Sequence, residues 1–122
     1  ENYMANILIV DDSRTSRKML RRILEEAEHT IIGEAVNGED GYLKYKELNP
    51  DVVTLDITMP KMDGLEALQL IKKYDEKATA IMITAAGQKE KMIDAIKKGA
   101  TDFISKPYEP SDVVSVVNKC IN

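Results

Sequence analysis

Five short apolar runs, each followed by a longer stretch of mixed character, constrain this chain more than any other feature of its sequence. Ile7-Leu8-Ile9-Val10 is continuous and β-rich, as a strand buried on both faces of a parallel sheet must be. Thr30 to Val36, Val52-Val53-Thr54-Leu55, Ala80-Ile81-Met82-Ile83 and Asp102-Phe103-Ile104 repeat the pattern. Strands alternating with helical segments predict an α/β domain, a doubly wound parallel sheet with helices on both faces.

The intervening segments carry helical spacing. Ser13 is placed to cap a helix through about Glu28, with Met19, Leu20, Ile23, Leu24 and Ala27 recurring at three- and four-residue intervals. A second helix is expected over about Glu39 to Leu48, halted by Asn49-Pro50. A third covers roughly Leu65 to Tyr74, and a fourth about Gln88 to Lys98, ending at Gly99. The last segment, Ser111 to Ile121, has four valines that also suit a strand. Pro110 and Ser111 at its start, and the stripe of Val113, Val114, Val117 and Ile121, favour a helix. Gly41, inside the second helix, costs about 1 kcal/mol relative to alanine and is compatible with close packing on the sheet.

A chain of 122 residues fits one domain, expected over 4–122 with Met4-Ala5-Asn6 as a natural start. Seventeen basic residues against 21 acidic ones leave a charge of −4, which argues against nucleic-acid binding. No apolar run reaches the roughly 20 residues of a membrane span, and no signal-peptide pattern opens the chain. The single cysteine, Cys120, cannot form an internal disulfide, and a soluble cytoplasmic protein is expected. His29 is the one histidine and has no second histidine or cysteine cluster, which argues against zinc.

In open parallel sheets the functional crevice lies beyond the carboxyl ends of the strands. Asp11 and Asp12 follow the first run, Asp56 the third, Thr84 the fourth and Lys106 the fifth. Taken singly, Asp11 and Asp12 read equally as helix caps, Thr84 as a strand residue and Lys106 as a surface lysine. Together they place three carboxylates, a hydroxyl and an ammonium on one rim. Two carboxylates about 4 Å apart repel by roughly 4 kcal/mol at an effective dielectric of 20. Such a cluster calls for a cation, and its hard oxygen donors suit Mg2+ completed by phosphate oxygen. An aspartate nucleophile with such partners has the parts for phosphoryl transfer.

These residues sit in Val10-Asp11-Asp12, Asp56-Ile57-Thr58-Met59-Pro60, Met62-Asp63-Gly64, Thr84-Ala85-Ala86-Gly87-Gln88, and Gly99-Ala100-Thr101-Asp102-Phe103-Ile104 with Lys106-Pro107. In that order the chain resembles the receiver domains of two-component response regulators, most closely the stand-alone chemotaxis (CheY-like) type, from Met4 to Ile121. The resemblance implies a strand order of 2-1-3-4-5 with five helices. It makes Asp56 the phospho-acceptor, charged by a CheA-like histidine kinase, with Asp11, Asp12, Asp56 and the Thr58 carbonyl holding Mg2+. Thr84 becomes the switch hydroxyl, Lys106 the phosphoryl partner before a cis proline bond, and Phe103 the aromatic switch. It places Thr58 and Ala86 where the family tunes autodephosphorylation. The output surface would be the face of helix 4, strand 5 and helix 5, read by the flagellar motor switch or another partner, with a phosphatase as a further partner. A monomer is expected, and no activity beyond its own phosphorylation and dephosphorylation.

A single-domain phosphorelay intermediate, or a receiver from a longer regulator, is the alternative within that class. Lys89, Lys91, Lys97 and Lys98 on the fourth helix read first as a solvated face. They also suit an acidic partner, with Met92 supplying apolar contact. A flavodoxin-like cofactor binder shares the fold, but Asp11 and Asp12 would repel a cofactor phosphate. A haloacid-dehalogenase-type phosphatase would want an aspartate at position 58, where Thr58 stands. An inert pseudo-receiver does not explain why all five site residues are present.

Overall fold

The computed structural model describes residues 4–121; Asn122, the expected end of the domain, lies outside the described residues. The strands are β1 (Asn6–Val10), β2 (Thr30–Ala35), β3 (Val52–Asp56), β4 (Ala80–Thr84) and β5 (Asp102–Ser105). The helices are α1 (Arg14–Glu26), α2 (Gly38–Leu48), α3 (Gly64–Tyr74), α4 (Lys89–Lys97) and α5 (Pro110–Ile121). All neighbouring strands are parallel and their order is β2-β1-β3-β4-β5, as the resemblance implies. No helix of the described residues is long and apolar enough to cross a membrane.

The continuous apolar runs follow from burial on both sheet faces. Leu8, Val10, Val53, Leu55, Ala80 and Met82 point into one core, closed by Tyr45 of α2, Leu68 and Ile71 of α3 and Ala95 of α4. Their neighbours Ile7, Ile9, Val52, Ile81 and Ile83 point into a second core under Leu20 and Leu24 of α1 and Val113 and Val117 of α5. Gly41 faces the sheet: a Cβ there would lie 2.8 Å from Val10 Cγ1, which explains glycine inside α2. The last segment is helical with Pro110 as its first residue, where the missing N–H is no loss.

Helix ends depart from the sequence reading in instructive ways. α1 stops at Glu26 rather than Glu28, because the Glu28 N–H bonds to the Glu25 carbonyl and the His29 N–H to the Leu24 carbonyl. Glu28 adopts φ 72° to close that turn, a position glycine ordinarily takes. α4 closes in the same way with Gly99 at φ 104°. Met19, read as a core position, is exposed. Leu20 and Leu24 of α1 are buried in the core and Ile23 packs partly against it, and Met19 lies to one side of that stripe. β2 ends one residue early, leaving Val36 exposed, and its register to β1 slips between Ile7 and Leu8.

His29 is a structural tie. Its Nδ1 accepts from the Ala5 N–H at 3.1 Å and its Nε2 meets Asn118 Oδ1 at 3.0 Å. This joins the start of β1 to α5, at the sheet edge opposite the carboxyl ends of the strands.

Thr54 is fully buried in β3, and its hydroxyl has no hydrogen-bond partner among the described residues. Burying a hydroxyl without a partner costs about 1–3 kcal/mol. Thr54→Val keeps the shape and is expected to raise unfolding free energy by about 1 kcal/mol in urea titration; a loss of stability would show that the hydroxyl is satisfied.

Candidate functional site

The carboxyl ends of β1, β3, β4 and β5 bring the expected residues to one rim. Asp11 follows β1 and is almost fully buried, whereas Asp12 is exposed. Ser13 does the capping of α1, accepting from the Ser16 N–H at 3.2 Å. Asp11 Oδ1 instead accepts the Ser13 N–H at 2.8 Å. That bond aims Oδ2 at the rim, where it lies 3.2 Å from Lys106 Nζ but makes no hydrogen bond of good geometry. Asp56, at the end of β3, accepts from the same ammonium through Oδ2 at 3.3 Å. Thr84 ends β4 and is buried, Thr58 is exposed in the loop after β3, and the Lys106–Pro107 bond is cis.

The electrostatics follow from that crowding. Burial, then the neighbouring Asp11 charge, pushes the Asp56 carboxyl up to about 6 from an ordinary 3.8, against the opposing pull of Lys106. Burial pulls the Lys106 ammonium down, but Asp11 and Asp56 outweigh it and hold the group above its usual value. One cation therefore faces two buried carboxylates, and Asp12 adds a third acidic group. Carboxylate oxygens of Asp11, Asp12 and Asp56 all lie within 4.8 Å of one another. The poorly satisfied Asp11 Oδ2 and this all-oxygen donor set fit a hard divalent cation such as Mg2+.

Several further residues support the rim, and of these the sequence reading singled out only Gly64, in its Met62-Asp63-Gly64 motif. Arg17 donates from Nη1 to the Asp11 carbonyl at 2.7 Å and from Nε to Glu34 at 3.0 Å. Arg21 joins the same carboxylate at 2.6 Å. Burial raises the Glu34 carboxyl, yet these two guanidinium groups hold it below its ordinary value. The i, i+4 spacing of Arg17 and Arg21 is visible in sequence, but Glu34 as their shared partner is not. Gly64 packs against the Asp56 backbone so closely that any Cβ would collide with the Asp56 carbonyl oxygen, and its N–H bonds to the Ile57 carbonyl at 2.8 Å. Ser16 and Tyr108 hydroxyls meet at 3.0 Å, tying α1 to the segment after Pro107.

Phe103 is 37% exposed at the edge of a cleft of about 240 Å³ that Thr84, Gln88, Met92 and Ser105 also line. Met92 is partly buried: it packs against the core beneath α4 and also lines this cleft. Ile93 and Ile96 are the exposed apolar residues of α4, and Lys98 is paired with Asp94 at 2.8 Å. A wider groove of about 690 Å³ between α1 and α5, lined by Met19, Ile23, Tyr108 and Val114, holds none of the expected site residues.

Comparison with known proteins agrees with this architecture. Residues 7–118 match the family model described as the response regulator receiver domain. The chain is 50% identical to chemotaxis protein CheY of Thermotoga maritima over 113 residues, 93% of this chain and 94% of that protein. It is 48% identical to chemotaxis protein CheY of Bacillus subtilis over 116 residues, 95% of this chain and 97% of that one. Among solved structures, the CheX–CheY–BeF3–Mg2+ complex from Borrelia burgdorferi contains a chain similar at a TM-score of 0.91 and 43% identity, covering 96% of this chain and 89% of that one. The chain belongs to the response regulator receiver domain family and is similar to its chemotaxis (CheY) members.

Proposed function

We propose that this chain is a phosphorylation-operated switch in which Asp56 takes a phosphoryl group from the phosphohistidine of a CheA-like histidine kinase. The observation that carries the reading is the buried Asp56 carboxylate, at a strand end, held by the Lys106 ammonium beside a second buried carboxylate. An Asp56 oxygen attacks phosphorus as the bond from phosphorus to the donor imidazole nitrogen breaks. The imidazole leaves with the electron pair, and Asp56 becomes an acyl phosphate. Burial raises the basicity of the attacking carboxylate while leaving it largely ionised at pH 7. Lys106 neutralises charge on the transferred group, and the Thr84 hydroxyl donates to one of its oxygens.

Asp11, Asp12, Asp56 and the Thr58 carbonyl are the residues that would hold Mg2+, consistent with their common rim. When bound, the ion offsets the repulsion between these carboxylates and the incoming phosphoryl oxygens. The Borrelia relative, solved with BeF3 and Mg2+, supports this assignment.

Phosphorylation adds up to about two negative charges and three acceptor oxygens. Thr84 and Lys106 close on them, and Phe103 turns into the cleft beside Thr84. That movement remodels the face of α4, β5 and α5, which binds the output partner: the flagellar motor switch in a chemotaxis pathway, with a phosphatase acting on the phosphorylated form. Ile93, Ile96, Lys89 and Lys97, exposed on α4, suit an acidic segment with apolar anchors.

Acetyl phosphate with Mg2+ is expected to add the mass of one phosphoryl group, read on the intact protein, and Asp56→Ala or chelation of the metal is expected to abolish it. An adduct that persists in Asp56→Ala places the acceptor elsewhere. Stability offers an independent reading. The folded protein binds more protons at Asp56 than the unfolded chain between pH about 4 and 6, so this group's contribution to stability falls across that window and stays lost above it. In chelator at pH 7.5, Asp56→Asn is therefore expected to stabilise the fold by about 1–2 kcal/mol, less than the full shift because the crevice opens to solvent. Near pH 4 the gain disappears; a pH-independent gain would show that the carboxylate is not strained.

A further inference from the structure

The loop after β4 is closed by a side chain. Gln88 stands immediately before α4, where a polar side chain ordinarily accepts from the first N–H groups of the helix, yet it makes no such bond. Its carboxamide turns back: Oε1 accepts from the Ala85 N–H at 2.7 Å, and Nε2 donates to Thr58 Oγ1 at 2.7 Å. Gly87, at φ 84° with open space where a Cβ would stand, provides the reversal. Ala85 adjoins Thr84, and Thr58 lies two residues beyond Asp56, so one planar amide spans the two loops that flank the acceptor. Gln88 also lines the cleft between Thr84 and Phe103.

Both bonds are at the short end of the normal range, and both depend on the spacing of two separate loops. A displacement of Ala85 stretches or bends one of them. We propose that Gln88 is a latch, whose carboxamide ties the loop after β4 to the loop after β3 and biases the domain toward its unphosphorylated arrangement. This rests on the roles of Asp56 and Thr84 proposed above: closure of Thr84 on a phosphorylated Asp56 carries Ala85 with it and releases the amide. Gln88 is a positioning residue, acting through Ala85 and Thr58 rather than on the phosphoryl group. Because the bonds are solvent-accessible, their net contribution is small, and the latch shifts populations rather than locking one state.

The test is beryllofluoride titration of the full chain in Mg2+, followed by NMR of the Phe103 ring, with thermal unfolding alongside. Gln88→Met keeps the length and loses both bonds; Thr58→Val keeps the shape and loses one. Each is expected to tighten beryllofluoride binding by roughly threefold to tenfold. The double variant is expected to gain no more than the stronger single. A merely structural contact would lower the melting temperature and leave affinity unchanged or weaker, which overturns the latch, as do additive effects in the double variant. If the parent chain binds no beryllofluoride at all, the assignment of Asp56 falls and takes the latch with it.

Discussion

The ammonium of Lys106 between the carboxylates of Asp11 and Asp56 is the interaction around which the rim is organised. Two buried acidic groups from different strands are held together by one cation from a third. Removing the cation leaves two uncompensated carboxylates in a poorly solvated crevice, which is among the costliest local changes a fold can suffer, whereas neutralising Asp56 leaves Asp11 to pair with Lys106. The arrangement is also underneutralised, and Asp56 registers this as a carboxyl raised to about 6. A site in that condition has an electrostatic reason to take up a further cation.

The sheet and its immediate supports hold these charges in place. Parallel strands end on the same edge, so residues from β1, β3 and β5 meet without any local sequence relationship. Arg17 braces the Asp11 backbone from α1, and Gly64 lets α3 start directly against the Asp56 backbone. Ser13 satisfies the helix terminus and leaves Asp11 to serve the rim. Local capping chemistry and site chemistry are thus assigned to different side chains, although either aspartate could have capped α1 on sequence grounds alone.

The proposed coupling outward from the rim would run through its more solvated β4 and β5 side. Thr84 ends β4, Gln88 bridges back over the loop after β3, and Phe103 stands half-exposed beside them. The Gln88 bonds and the Phe103 ring are solvent-exposed, and segments tied by such contacts open at low free-energy cost. A rigid charged floor beneath a loosely tied wall is a physical basis for a two-state surface.

The five apolar runs, the helical stripes between them and the residues at the strand ends were legible in the chain itself, because burial on two faces and helix periodicity both leave a local imprint on residue order. The helical identity of Val113 to Ile121 was legible for the same reason, whereas the approach of Val10 that makes Gly41 fit inside α2 was visible only in the fold. Where α1 ends, which way Met19 and Met92 point, and which partners Arg17, Glu34 and Gln88 find were decided only by tertiary structure. Glu28 takes a left-handed turn because the following strand must start there, and Met92 packs partly on the core while still lining the cleft beside Phe103. Gln88 reaches Thr58 only because the β4 and β3 loops emerge side by side from the sheet. Periodicity names the face of an element, but the partner across a gap depends on how distant segments are brought together in space, which no local pattern records.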